Sequence, residues 1–319
     1  MCMFRDFDMR LLNSNYLPVL FLLLVPLDLF AASKNGFGLD DALVPTEQIL
    51  SGGPGRDGIP SLDYPKFVFA QDASYLKEED RILGVEVNGV SRAYPIRILN
   101  YHEIVNDIVG GAAIVVSYCP LCGSGMAFNA EIGDRIFEFG VSGLLYNSDV
   151  LLYDRQTGSL WSQILKTSVT GAMRETRLTA IPLTHTTWQD WYARHPQTDV
   201  LSQETGYRRN YRADPYPGYS RSGKLYFPVQ EESRLYPRKT MVMGLEIDGE
   251  FKAYPFPELE KGPKRFADEF NGKRLDVLYD SANETARILA EDGDELPTLM
   301  AFWFAWYAFH PDSVIYSVE

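Results

Sequence analysis

The chain has no basic cluster. Its 30 Lys and Arg are outnumbered by 43 Asp and Glu, giving a formal net charge of -13, and they are spread along the sequence. Nucleic-acid phosphates are held by grouped Lys and Arg, so the composition excludes nucleic acid as a partner. The charge suits a soluble protein that stays dispersed. An uninterrupted membrane-spanning run is missing as well. The apolar stretch Leu17 to Phe30 is broken by Pro18, Pro26 and Asp28, whereas a spanning helix takes roughly 18 or more apolar residues. Arg10 before this stretch and Ala31-Ala32-Ser33 after it give it the layout of a secretory signal. Residues 1–32 are therefore expected to be a signal peptide, the protein to be exported to a periplasm or the extracellular space, and no stable membrane span to remain after cleavage. Cysteine is the third scarcity. Cys2 would leave with the signal, so the mature chain holds Cys119 and Cys122 alone, in a compartment where disulfides persist.

What the chain does have is a passage written twice. Leu83-Gly84-Val85-Glu86-Val87-Asn88-Gly89 through Ala93-Tyr94-Pro95 reappears as Met243-Gly244-Leu245-Glu246-Ile247-Asp248-Gly249 through Ala253-Tyr254-Pro255. Each copy ends on a matching aromatic segment: Trp188, Trp191-Tyr192-Ala193 and His195-Pro196 in the first, Trp303, Trp306-Tyr307-Ala308 and His310-Pro311 in the second. Features common to both copies belong to the fold, so His195 and His310 are expected to be structural. Cys119-Pro120-Leu121-Cys122 falls opposite Asp280-Ser281-Ala282-Asn283, so thiol chemistry is confined to the first copy.

Short alternating apolar runs are separated by Asn88-Gly89, Gly110-Gly111, Asp248-Gly249 and Asn271-Gly272. Asn, Asp and Gly tolerate the positive φ of tight primed turns, so these dipeptides predict hairpins. The Trp segments suit short amphipathic helices stopped by proline, over Trp188 to His195 and Leu299 to Phe309. The expected fold is α+β, predominantly antiparallel β, with two related hairpin-rich repeats each closed by a short helix. Its expected divisions are a lead-in loop region at 33–80 with no helix over 33–62, the first repeat with an insertion at 81–203, a Tyr- and Pro-rich irregular connector at 204–240, and the second repeat at 241–319.

Two sulfurs at C-x-x-C spacing can close a small disulfide ring or clasp one soft metal ion. Gly123-Ser124-Gly125 directly after Cys122 disfavours the helix on which a thioredoxin-like fold presents its first cysteine. Folding 103–109 back on 112–118 at Gly110-Gly111 is expected to bring the ends carrying His102 and Cys119 together. His102 is thus the candidate base beside Cys119 and Cys122, or a ligand with them. Met126 adds a thioether, and a Cys, Cys, His, Met set favours copper, whereas Cys and His alone suffice for zinc. A single C-x-x-C without a second pair is a weak zinc signal. Asp149, Tyr153, Asp154 and Trp161 are candidates for lining a pocket with acid/base capacity, although turn capping and a buried aromatic explain them equally well. His185 has no evident partner.

Several of these segments together resemble the DUF3179 family of proteins of unknown function: Gly52-Gly53-Pro54, Asp57-Gly58-Ile59-Pro60, Ala93-Tyr94-Pro95, His102-Glu103-Ile104-Val105-Asn106-Asp107, Tyr118-Cys119-Pro120-Leu121-Cys122 and Trp161-Ser162-Gln163. Some members of that family are named as selenoproteins. If selenocysteine replaces a cysteine of this motif, the resemblance implies redox chemistry more than stapling, because selenium is the better nucleophile and leaving group. Three readings follow. The first is an exported thiol-disulfide oxidoreductase working on an exported protein or small-molecule redox partner. The second is a copper or other soft metal protein, and the third is a repeat-built binding module with a structural disulfide.

Overall fold

The computed structural model describes residues 33–318, so the expected signal peptide, with Cys2, lies outside the described residues. Among the described residues antiparallel β-sheets dominate, accompanied by four short α-helices. All four hairpin dipeptides adopt positive φ at both positions: 51° and 75° at Asn88-Gly89, 55° and 84° at Gly110-Gly111, 53° and 83° at Asp248-Gly249, 46° and 71° at Asn271-Gly272. That twist matches the right-handed twist of the flanking strands, so each turn sets a register with little strain.

In the first half, Arg81–Val87 pairs with Val90–Pro95 so that Gly84 faces Ala93, and Thr184–Thr187 pairs along the other edge of Arg81–Val87. The helix Trp188–Arg194 follows, and Asp199–Leu201 returns parallel to Val90–Pro95. In the second half, Met241–Ile247 pairs with Glu250–Pro255 so that Gly244 faces Ala253, and Thr298–Phe302 pairs along its other edge. The helix Trp303–Phe309 follows, and Val314–Ile315 returns parallel to Glu250–Pro255. The indole of Trp191 lies on Gly84 and that of Trp306 on Gly244, so closely that a Cβ at either glycine would overlap the ring. The indole N–H groups donate to Thr198 Oγ1 (3.0 Å) and Ser313 Oγ (2.9 Å), which satisfies the one polar atom each brings into the core. His195 stacks on Trp191 and His310 on Phe251, ring centroids 3.9 Å apart in both cases.

The thiol strands lie where the halves join. Ile104–Val109, Ala112–Cys119 and Ser124–Asn129 form a meander, and Ser124–Asn129 continues through Met300 opposite Gly125 into the second half, making one sheet. A further sheet over Phe139–Tyr146, Asp149–Asp154, Leu160–Ser162 and Thr167–Ser168 carries the residues expected as an insertion. The lead-in segment is tied to it where Leu43 N donates to the Val169 carbonyl and Gly52 N to the Gly143 carbonyl, both at 2.8 Å, and Leu62 at its end bridges Val105. Ile49–Ser51 forms the edge strand of that sheet, and a single 3-10 turn occupies Thr46–Gln48.

Two local expectations change. Residues Leu299 to Phe302 are strand, and the helix expected from Leu299 starts at Trp303, because Thr298–Phe302 completes the ladder on Met241–Ile247. The residues before Ile104 are helical, over Ile96–His102, so His102 ends a helix instead of leading into a strand. Among the described residues no helix is long and apolar enough to cross a membrane.

Candidate functional site

Cys119 is the last residue of Ala112–Cys119 and faces Ser124, so Pro120 to Gly123 form the loop of a hairpin. Gly123 closes it at φ 62°, a conformation that favours glycine, and a Cβ there would crowd the Phe302 ring. No helix follows the second cysteine in sequence, although the helix Trp303–Phe309 starts beside it, where Phe302 N donates to the Cys122 carbonyl at 2.8 Å. Both are free and buried, Cys119 at 2% and Cys122 at 0% exposure.

The partner of the thiols is a second hairpin. Phe139–Tyr146 and Asp149–Asp154 meet at Asn147-Ser148, where φ is 50° and 64°. The Ser148 carbonyl accepts from Cys119 Sγ at 3.7 Å and from Cys122 Sγ at 3.4 Å. The next residue, Asp149, sets a carboxyl oxygen so that it and the two sulfurs all lie within 4.8 Å of one another. Asp149 Oδ2 accepts from Ile164 N at 3.1 Å, while Oδ1 is buried without a hydrogen-bond partner. Burial lifts the Asp149 pKa to about 7, against the pull of the Ile164 and Val150 N–H groups and of the thiols. Burial also pushes the Cys122 thiol well above its ordinary value, reinforced by Cys119 beside it.

Two further ionisable groups belong here, and neither is evident from motif spacing. Glu103 follows the helix Ile96–His102 at φ 58°, a conformation rare for a residue with a side chain, and is buried at 7% exposure. Its pKa is raised to about 8, by burial first and by Asp149 second. Lys239 comes from the connector. Its Nζ is buried with no hydrogen-bond partner, 3.1 Å from the centre of the Tyr219 ring, and burial lowers its pKa to about 7 against the pull of the two thiols. A small cavity of about 120 Å³ reaches Cys119 between Glu103, Leu121, Tyr216, Tyr226 and Phe227. The last three residues are also from the connector, which ties down where Ser148 Oγ donates to the Phe227 carbonyl at 2.8 Å.

His102, Tyr153, Asp154 and Trp161 are hydrogen-bonded to groups other than the thiols. Both ring nitrogens of His102 are engaged, Nδ1 with the Pro60 carbonyl at 2.8 Å and Nε2 with Tyr211 Oη at 2.6 Å, and burial lowers its pKa. The strand pairing does bring the backbones of Glu103 and Tyr118 together, with Tyr118 N donating to Glu103 O at 2.7 Å, but the His102 ring turns toward Pro60. Met126, opposite Ser117, packs in the same core cluster as both cysteines. Asp154 caps its own turn, accepting from Thr157 and from Trp161 Nε1 at 2.9 Å, and Tyr153 donates to Asp57 at 2.6 Å. Of the four pocket candidates, only Asp149 joins the thiols. The Trp161-Ser162-Gln163 motif serves them indirectly. Gln163 links Ser117 and Ser124 on the two thiol strands, and the next residue, Ile164, orients Asp149.

The fold and the site define a β-rich protein with a buried Cys-x-x-Cys hairpin facing a carboxyl group. The sequence model of the DUF3179 family, described as a protein of unknown function, matches residues 56–313, and the chain belongs to that family. No curated protein and no solved structure matches it.

Proposed function

We propose that the protein is an exported thiol-disulfide oxidoreductase acting on small-molecule disulfides, with Cys119 as attacking thiol, Cys122 as resolving thiol and Asp149 as the proton acceptor. The carrying observation is the Asp149 carboxyl, its pKa near 7, within 4.8 Å of both sulfurs. A base of that pKa takes and returns a thiol proton at neutral pH. Cys119 lines the cavity and Cys122 does not, which orders their roles. Asp149 takes the Cys119 proton, and the Cys119 thiolate attacks one sulfur of the substrate disulfide, breaking its S–S bond and expelling one thiolate, to which Asp149 passes the proton. Cys122 then gives its proton to Asp149 and attacks Cys119 Sγ, releasing the second thiolate. Two electrons pass from the dithiol to the substrate, and a Cys119–Cys122 disulfide remains. Burial of both sulfurs behind connector residues favours a small substrate over a protein disulfide. Export rests on the layout of residues 1–32. Pre-reduced protein mixed with a low-molecular-weight aromatic disulfide is expected to consume one equivalent and release two of thiol, and replacement of either cysteine by serine to end this. Unchanged turnover in both serine variants would refute the proposal.

The same three ligand atoms favour a second reading, a metal centre. Two sulfurs with a carboxylate oxygen suit zinc better than copper, since carboxylate is a hard donor. Protein purified without chelator would then carry about one equivalent of zinc, lost in Asp149→Ala.

We also infer that the two halves are copies of one unit. The equivalent ladders, the Trp191 and Trp306 indoles on Gly84 and Gly244, and Tyr94 and Tyr254 donating to Asp107 (2.6 Å) and Asp268 (2.7 Å) support this.

A further inference from the structure

Residues 214–235 of the connector cover the thiol site. Tyr216, Tyr226 and Phe227 line the cavity that reaches Cys119, and Tyr216, Leu225, Phe227 and Val229 pack, partly buried, against the core cluster that contains both cysteines. This cover has little regular structure, a single 3-10 turn over Tyr219–Arg221. Its hydrogen bonds to the rest of the chain, among the described residues, fall at one place, the hairpin tip Asn147-Ser148. Ser148 Oγ donates to the Phe227 carbonyl at 2.8 Å, and Gln230 N donates to Asn147 Oδ1 at 2.9 Å. Just beyond the cover the connector is fastened separately, by Tyr101 Oη donating to the Ala213 carbonyl at 3.1 Å and by Tyr236 Oη donating to Glu258 at 3.2 Å.

The thiols hold the same tip from the other side. The Ser148 carbonyl, on a residue 1% exposed, accepts from both Cys119 and Cys122. Forming the Cys119–Cys122 disulfide joins the sulfurs and removes two S–H protons and two electrons, which pass to the oxidant, a small disulfide in the proposed reaction. Neither sulfur can then donate. S–H is a weak donor, so the lost bonds matter less than what remains, a buried carbonyl that bears its desolvation cost without a partner. Asp149, the next residue, loses the thiols' hydrogen bonds in the same event. Water is the replacement partner for both groups, and the segment packed on the tip is the cover.

We propose that the cover is a redox-controlled gate, closed over the dithiol and released from the Asn147-Ser148 tip when Cys119 and Cys122 form a disulfide. Release opens the disulfide to a reductant larger than the 120 Å³ cavity admits. The gate rests on the thiol reading for its disulfide alone, and a chemical oxidant supplies that whether or not the protein turns over small disulfides.

The test is limited trypsin digestion of the purified protein, either reduced or oxidised with diamide, which takes up the two electrons and two protons. Peptide mass mapping locates the disulfide and scores cleavage after Arg221 and Lys224, both exposed within the cover, against cleavage after Arg208 and Arg209, exposed outside it. Cleavage of a folded segment follows the population of its open form, so oxidation is expected to raise that ratio about ten-fold or more, the effect of one lost hydrogen bond. The Gln230 amide is expected to lose its hydrogen-exchange protection in the oxidised protein. Cys119→Ser, which keeps a donor at that position and cannot form the disulfide, is expected to stay closed in diamide. A located disulfide with either readout unchanged would overturn the gate and leave the thiol reading standing. Opening of Cys119→Ser in diamide would also overturn it, and failure of diamide to join the two sulfurs would sink both the gate and the thiol reading.

Discussion

Asp149 and Cys122 lie on the tips of two different hairpins, yet a carboxyl oxygen of one and the sulfur of the other are within 4.8 Å, in a space closed to water. Such a carboxyl is neutral far above its ordinary range, and its pKa is raised from 3.8 to about 7. A carboxyl with a raised folded-state pKa favours the folded state most below its unfolded pKa, near 4, and that advantage is lost as pH climbs to the folded value. Glu103, raised from 4.5 to about 8, acts in the same direction over a window reaching slightly higher. Thermal melts should therefore show Tm falling between about pH 5 and about pH 8. Asp149→Asn should remove part of that fall, matching wild type near pH 4 and exceeding it at pH 8 by at most a few kcal/mol, since a tenfold change in proton affinity is worth about 1.4 kcal/mol. A Tm difference independent of pH would show that Asp149 is ionised throughout.

Alkylation should distinguish the two thiols. In the native protein a small reagent such as iodoacetamide should reach Cys119 through the cavity it lines, whereas Cys122, fully buried and with its pKa pushed up, should react only after unfolding. Mass spectrometry of the labelled peptide gives the order. Equal labelling, or Cys122 first, would reverse the assignment of attacking and resolving roles.

Gly84 and Gly244 should be intolerant of a methyl group. Gly84→Ala and Gly244→Ala each place a Cβ in an indole ring held by its own hydrogen bond, so the ring cannot simply move aside. Overpacking of this kind costs about 1–3 kcal/mol, read as a lower urea midpoint with an unchanged slope. Thiol reactivity at neutral pH should be unaffected.

Much of the β architecture is legible in the sequence because its turns are written in local chemistry. Asn88-Gly89, Gly110-Gly111, Asp248-Gly249 and Asn271-Gly272 need positive φ and contain residues that accept it. The turn that matters most for the site, Asn147-Ser148, carries a weaker form of the same signal. Asn tolerates the left-handed region and Ser less so, and a strained Ser between two apolar runs is the only local hint that Asp149 sits at a hairpin tip. Hairpin pairing also points His102 toward Cys119, and the backbones do meet there. The helix Ile96–His102 rotates the imidazole onto Pro60 and Tyr211, a choice made by residues 42 and 109 positions away. Glu103 and Lys239 are invisible for a related reason: their significance is burial beside sulfur, which tertiary packing decides. Periodicity carries no trace of it.

The most direct test of the thiol account is the reduction potential of the Cys119–Cys122 pair. Purified protein is equilibrated in graded dithiothreitol buffers, then quenched and labelled, and the fraction of thiol is read by mass. A reversible two-electron transition at a potential above about -300 mV, with the fold intact on both sides, is the predicted result. A potential below that value would mark a disulfide that merely staples the hairpin, and thiols that stay protected by a bound metal across the whole series would contradict the account in favour of the metal centre.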